Sequence, residues 1–94
     1  MTVSPEDLAA AGRLLLGETW KRPMARMLGP HHPDGARDSI DPRAPFRWAR
    51  GPDRDEPDNN KGRPVPPWVA PVLARLLAEH GEACLALAAR LKGK

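Results

Sequence analysis

An all-α fold is what this sequence of 94 residues predicts, a compact bundle of four to five short helices forming one domain. Three observations carry that expectation. Helix-start signals recur, with Ser, Thr or Asp ahead of an apolar-periodic run, and glycines stand where those runs stop. Apolar residues return at spacings of three and four, with no alternating strand pattern and no internal repeat. The 12 prolines and 8 glycines gather largely between the periodic runs, which suits short helices joined by stiff loops.

The first helix is expected over residues 5–16. Ser4 caps it, Pro5 takes the first position, and Glu6 and Asp7 face the positive end of the helix dipole. Leu8, Gly12, Leu15 and Leu16 form its apolar face, and Gly17 ends it. Thr19 is the expected cap of a second helix through Trp20, Met24, Met27 and Leu28, stopped by Gly29. Pro23 falls in its first turn, where a missing N–H costs least. Residues 30–39 read as loop, because two prolines and a glycine oppose a long regular element.

Ile40 to Gly51 is the most informative stretch. Asp41 suits a cap, Pro42 the first helical position and Gly51 a left-handed stop, giving a third helix over 42–50. Pro45 is an irregularity four residues in, so the helix is expected to start late or to open as a 3₁₀ turn. Arg43, Arg47 and Arg50 stand at i, i+4 and i+7 and share one face. A short arginine-faced helix fits a DNA major groove; a solvated basic face is the plainer reading. Charge is uneven in the same sense. Residues 20–50 carry seven Lys and Arg against three Asp, whereas the whole chain has a net charge of +3. A local positive patch is the footprint of a polyanion partner.

Residues 51–64 form an irregular polar linker, and the last helical region spans 66–92. Val69, Val72, Leu73, Leu76 and Leu77 make its apolar face, and Gly81 either breaks or weakens it. Leu73, Leu77, His80, Cys84, Leu87 and Leu91 alternate spacings of four and three. That fits a coiled-coil seam between two copies, or packing on the other helices.

In order, Trp20, Met24 to Gly29, Ile40 to Arg43, Arg47-Trp48, Gly51 and Arg63-Pro64-Val65-Pro66-Pro67 resemble the small Cro/repressor-like helix-turn-helix proteins of bacteria and prophages. The resemblance covers most of residues 12–79, in pieces. It implies a helix-turn-helix over about 19–50, with the third helix as the recognition helix and the last as support. Long insertions depart from the pattern: ten residues stand between Gly29 and Ile40, and a second insertion separates Gly51 from Arg63. Pro45 and Phe46 also stand where a β-branched and a polar residue are more usual.

The function this implies is a sequence-specific DNA-binding regulator, a repressor acting as a homodimer on double-stranded DNA. The alternative is a phage-type inhibitor or adaptor that binds a protein partner through the same scaffold. Arg43 and Arg47 are the candidates for guanine edges. Arg50, Arg37, Lys21, Arg22 and Arg26 are candidates for phosphates. Trp48 is expected to pack inward with Trp20, Leu28 and Trp68. Leu73, Leu77, Cys84, Leu87 and Leu91 are the candidate dimer interface.

Other chemistry finds little footing. His31, His32 and Asp34, and the pair His80 and Cys84, lack a full ligand set at a recognisable spacing, so no metal or other cofactor is expected. Asp53, Asp55 and Glu56 lie in a polar linker with nothing apolar to raise a pKa, and no nucleophile or phosphate-loop motif is present, so no catalytic residue is assigned. A single Cys84, an acidic N-terminal segment and the lack of a long apolar run point to a cytoplasmic protein without a membrane span.

Overall fold

A computed structural model describes residues 3–50 and 62–93. Within them lie four α-helices: α1 (Pro5–Leu16), α2 (Lys21–Leu28), α3 (Ala44–Arg50) and α4 (Val69–Lys92), with a 3₁₀ turn, Gly29–His31, after α2. The helices pack together as an all-α bundle, and no strand occurs among the described residues. The expected stop at Gly51, the acids Asp53, Asp55 and Glu56, and most of the polar linker lie outside the described residues.

The first helix follows its sequence signals closely. Asp7 N–H donates to Ser4 Oγ at 3.1 Å, and Gly17 leaves the helix at φ 92°, a left-handed value that favours glycine. Leu8, Ala11 and Gly12 are buried, with Leu15 and Leu16 packed at the edge of the core. Gly12 is where α2 enters. A Cβ there would stand 2.6 Å from Trp20 Cγ, so the missing side chain makes room for the indole.

That contact displaces the expected start of α2. Trp20, not Thr19, is the residue before the helix; its carbonyl accepts from Met24 N at 2.9 Å, and no side chain caps the end. Burial of the Trp20 ring against α1 sets where the chain turns, overriding the local preference of Thr19. Gly29 is a second correction. It has φ −51° and ψ −50°, so it does not stop the helix by a left-handed turn. It is small because the following loop crosses it: a Cβ would lie 2.6 Å from Arg37 O and Ser39 N.

The loop at 32–39 is therefore tied down. Gly29 O accepts from His32 N and Arg37 N, and Ala25 O accepts from Ile40 N at 3.0 Å. Ile40 is buried. His31 Nδ1 lies 2.8 Å from Arg75 Nη2, and the His32 ring packs on Trp68 at 5.3 Å. Both histidines thus join the loop to α4 and its entry turn.

α3 begins at Ala44, two residues later than a helix led by Pro42. The reason is Pro45: a helix led by Pro42 needs its first main-chain donor at position 45, and proline has none. Starting at Ala44 puts Pro45 in second place, where no donor is required, and its ring is fully buried. α4 likewise starts after Pro66 and Pro67, which form a turn closed by Val69 N to Pro66 O. It runs 24 residues and passes through Gly81 unbroken. Leu8, Trp20, Met24, Leu28, Ile40, Trp48, Val65, Val69 and Leu73 are the larger side chains of one shared core.

Candidate nucleic-acid interface

The site builds outward from Trp48. Its ring is buried, beside Trp20 and Leu28 in the core and with Trp68 packed at the margin, which anchors α3 by its inner face. With Pro45 and Trp48 inward, the helical period turns Phe46, Arg47 and Arg50 to the opposite side. Arg43 precedes the helix and is exposed beside Asp41. Phe46 and Arg50 are exposed and Arg47 is half-buried. Arg47 O accepts from Arg63 N at 3.1 Å, so the returning chain is fastened to the middle of α3.

The start of α3 is held by Asp41 rather than capped by it. Asp41 Oδ1 accepts from Arg43 N at 3.0 Å and lies 3.4 Å from Arg43 Nε. Asp41 O accepts from Ala44 N, closing the turn that feeds the helix. The Arg43 main-chain N–H is the largest cause holding the Asp41 carboxyl below its ordinary value, and the guanidinium of Arg43 adds to it. The ion pair is exposed, so it contributes little to stability.

The N-terminus of α2 meets this surface. Lys21 Nζ sits 5.7 Å from the Phe46 ring and 5.9 Å from the Trp20 ring. Lys21, Phe46 and Arg50 line one groove with Pro5 and Glu6 of α1. Arg22 reaches the Phe46 side of an adjoining hollow and shares a further one with Arg26. Lys21, Arg22, Phe46 and Arg50 thus come together. Arg43 stands at the far end of α3 beside Asp41, and Arg37 is on the loop, its Nε 3.4 Å from Gly35 O. No protein-family model matches this chain, and neither curated proteins nor solved structures show a significant similarity to it.

Phe46 is the surface residue that sequence reasoning left without a role. It is 42% exposed. Its spacing held the signal, since it stands three after Arg43 and four before Arg50 on the outward face. The candidate dimer residues divide in two. Leu73 is buried in the core of its own chain, and Leu77 packs against that core, so this pair serves the fold. Cys84, Leu87 and Leu91 are exposed. No described helix is long and apolar enough to cross a membrane.

Proposed function

We propose that this protein is a DNA-binding transcriptional regulator of the helix-turn-helix kind, a repressor acting as a homodimer, with α3 as its recognition helix. Arg43 and Arg47 then meet base edges in the major groove, and Arg50, Arg37, Lys21, Arg22 and Arg26 meet phosphates. One observation carries the reading. α2 begins with Lys21 and Arg22, has no acid in its first turn and no side-chain cap, and stands beside the outward face of α3. Cations at the positive end of a helix dipole cost stability when alone. An anion placed there reverses the sign, because it gains both the side chains and the open main-chain donors. A local rule broken beside an arginine face fits a polyanion site.

A single seven-residue helix buries too little for tight specific binding, so two copies on a two-fold site are required. Fluorescence anisotropy on DNA from upstream of its own gene, across a salt series, tests the reading. The expected result is a specific complex with a steep negative log–log slope. Arg47→Ala costs about 1–3 kcal/mol at one base position, whereas Lys21→Ala weakens all sequences alike and flattens the slope by about 1. Absence of binding at low salt refutes it.

A second reading is an inhibitor or adaptor that docks on a protein. It is favoured by exposed Phe46 at the centre of the arginine face. Under it, Phe46→Ala abolishes partner binding; under the first reading, Phe46→Ala leaves the salt slope unchanged.

A further inference from the structure

From Ala78 onward α4 leaves the body of the protein. Every residue from Glu82 to Gly93 is exposed, Leu85 by 73%, Leu87 by 48% and Leu91 by 60%. The molecule measures 57 × 27 × 24 Å with a radius of gyration of 15.2 Å, against about 12 Å for a compact chain of this length. The line of side chains that buries Leu73 and Leu77 does not end there. It continues at the same spacings through His80, Cys84, Leu87 and Leu91, with nothing among the described residues to cover it. An isolated helical stretch of this length is marginal in water.

We propose that residues 78–93 pair with the same residues of a second copy, the two helices running antiparallel. This rests on the homodimer part of the reading above and redraws its interface, since Leu73 and Leu77 are excluded. The partner is a second copy because the stretch is complementary to itself. It carries Glu79 and Glu82 in its first half and Arg90 and Lys92 in its second. Antiparallel pairing brings the acidic half of one helix to the basic half of the other and opposes the two dipoles, the positive end of one beside the negative end of the other. Parallel pairing sets like charges side by side.

Length agrees with charge. Centred between Leu85 and Ala86, the pairing sets Cys84 opposite Leu87 and His80 opposite Leu91 of the second copy. Ala78 then meets Gly93, so the overlap ends where the body begins. Gly81, Ala83 and Ala88 flank the seam and allow close approach of the two backbones. The face is also continuous with the one that already docks α4 on its own core, which sets its direction.

The dimer is tested without DNA, so its failure is separable from failure of the DNA reading. Sedimentation velocity of the full chain over a concentration series is expected to show reversible dimerisation. Leu87→Glu with Leu91→Glu is expected to raise the dimer dissociation constant at least tenfold. The tryptophan fluorescence of the body stays unchanged, since neither leucine touches it. Orientation is read by mild oxidation of wild type mixed with a Cys84→Ala, Leu87→Cys chain. Antiparallel pairing gives mixed disulfide dimers of Cys84 with the new thiol; Cys84 pairs in wild type alone are about three residues out of register and form poorly. A monomer at every concentration overturns the proposal. So do wild-type Cys84 disulfides that form as readily as the mixed ones.

Discussion

Replacing Gly29 by alanine is expected to destabilise the fold, although its backbone angles favour the change. At φ −51° and ψ −50° alanine fits without strain, and the lost glycine entropy alone would stabilise by about 0.5–1 kcal/mol. The new Cβ, however, would lie 2.6 Å from Arg37 O and Ser39 N and 2.7 Å from Ser39 Cα. Contacts between such atoms settle at about 3.5–4.0 Å, so loop backbone must move by roughly 1 Å. The same backbone makes the bonds Arg37 N to Gly29 O and Ile40 N to Ala25 O and carries buried Ile40. Two weakened hydrogen bonds cost about 2 kcal/mol together, and partial exposure of Ile40 adds about 1. Less the entropy gain, the net loss is about 2 kcal/mol, or a fall in Tm on the order of 10 °C. Urea unfolding followed by tryptophan fluorescence measures it. A Gly29→Ala protein as stable as the wild type refutes the account of the loop crossing.

Two further glycines give opposite signs. Gly12→Ala drives a methyl into the Trp20 ring and is expected to cost about 1–3 kcal/mol in the same assay. Gly81→Ala meets nothing within 4 Å inside α4, so in the dilute monomer it is expected to strengthen the helix locally by about 0.5–1 kcal/mol. Slower amide exchange over residues 78–92 would report that gain. The Asp41 carboxyl titrates below its ordinary 3.8, so its contribution is complete above that pH and is lost as pH falls through the lower, folded value. Because the main-chain N–H of Arg43 is the largest cause and survives the substitution, Asp41 in Arg43→Ala is expected to titrate still below its ordinary value by NMR, though less far, and a midpoint at the ordinary value contradicts this.

Helix content and the ends of α1 were legible because their causes are local. Ser4, Pro5 and Gly17 act within one turn of themselves, and the inward Trp48 followed from helical period. The outward side of α3 with Arg47 and Arg50 was legible for the same reason, whereas Arg43, expected on the same helical face, falls before the helix. Phe46 was given no surface role, although its spacing from Arg43 and Arg50 put it on the outward side of the helix. The joining of Lys21 to Phe46 and Arg50 was not legible, since nothing local says that the start of α2 meets the outer side of α3.

By itself, the sequence determined the helical class, the order of the helices, the arginine spacing and the apolar line along the last helix. All of these depend on residues within a few positions of one another. Only the tertiary structure decided where α2 begins, why Gly12 and Gly29 carry no side chain, and which leucines of α4 are spent on the core. Those outcomes depend on contacts between segments distant in the chain. Trp20 must reach Gly12, the loop must cross Gly29, and Leu73 must meet the shared core while Leu87 and Leu91 project beyond it. Packing of that kind overrides a local cap or stop because burying one large side chain outweighs the roughly 1 kcal/mol that a cap contributes.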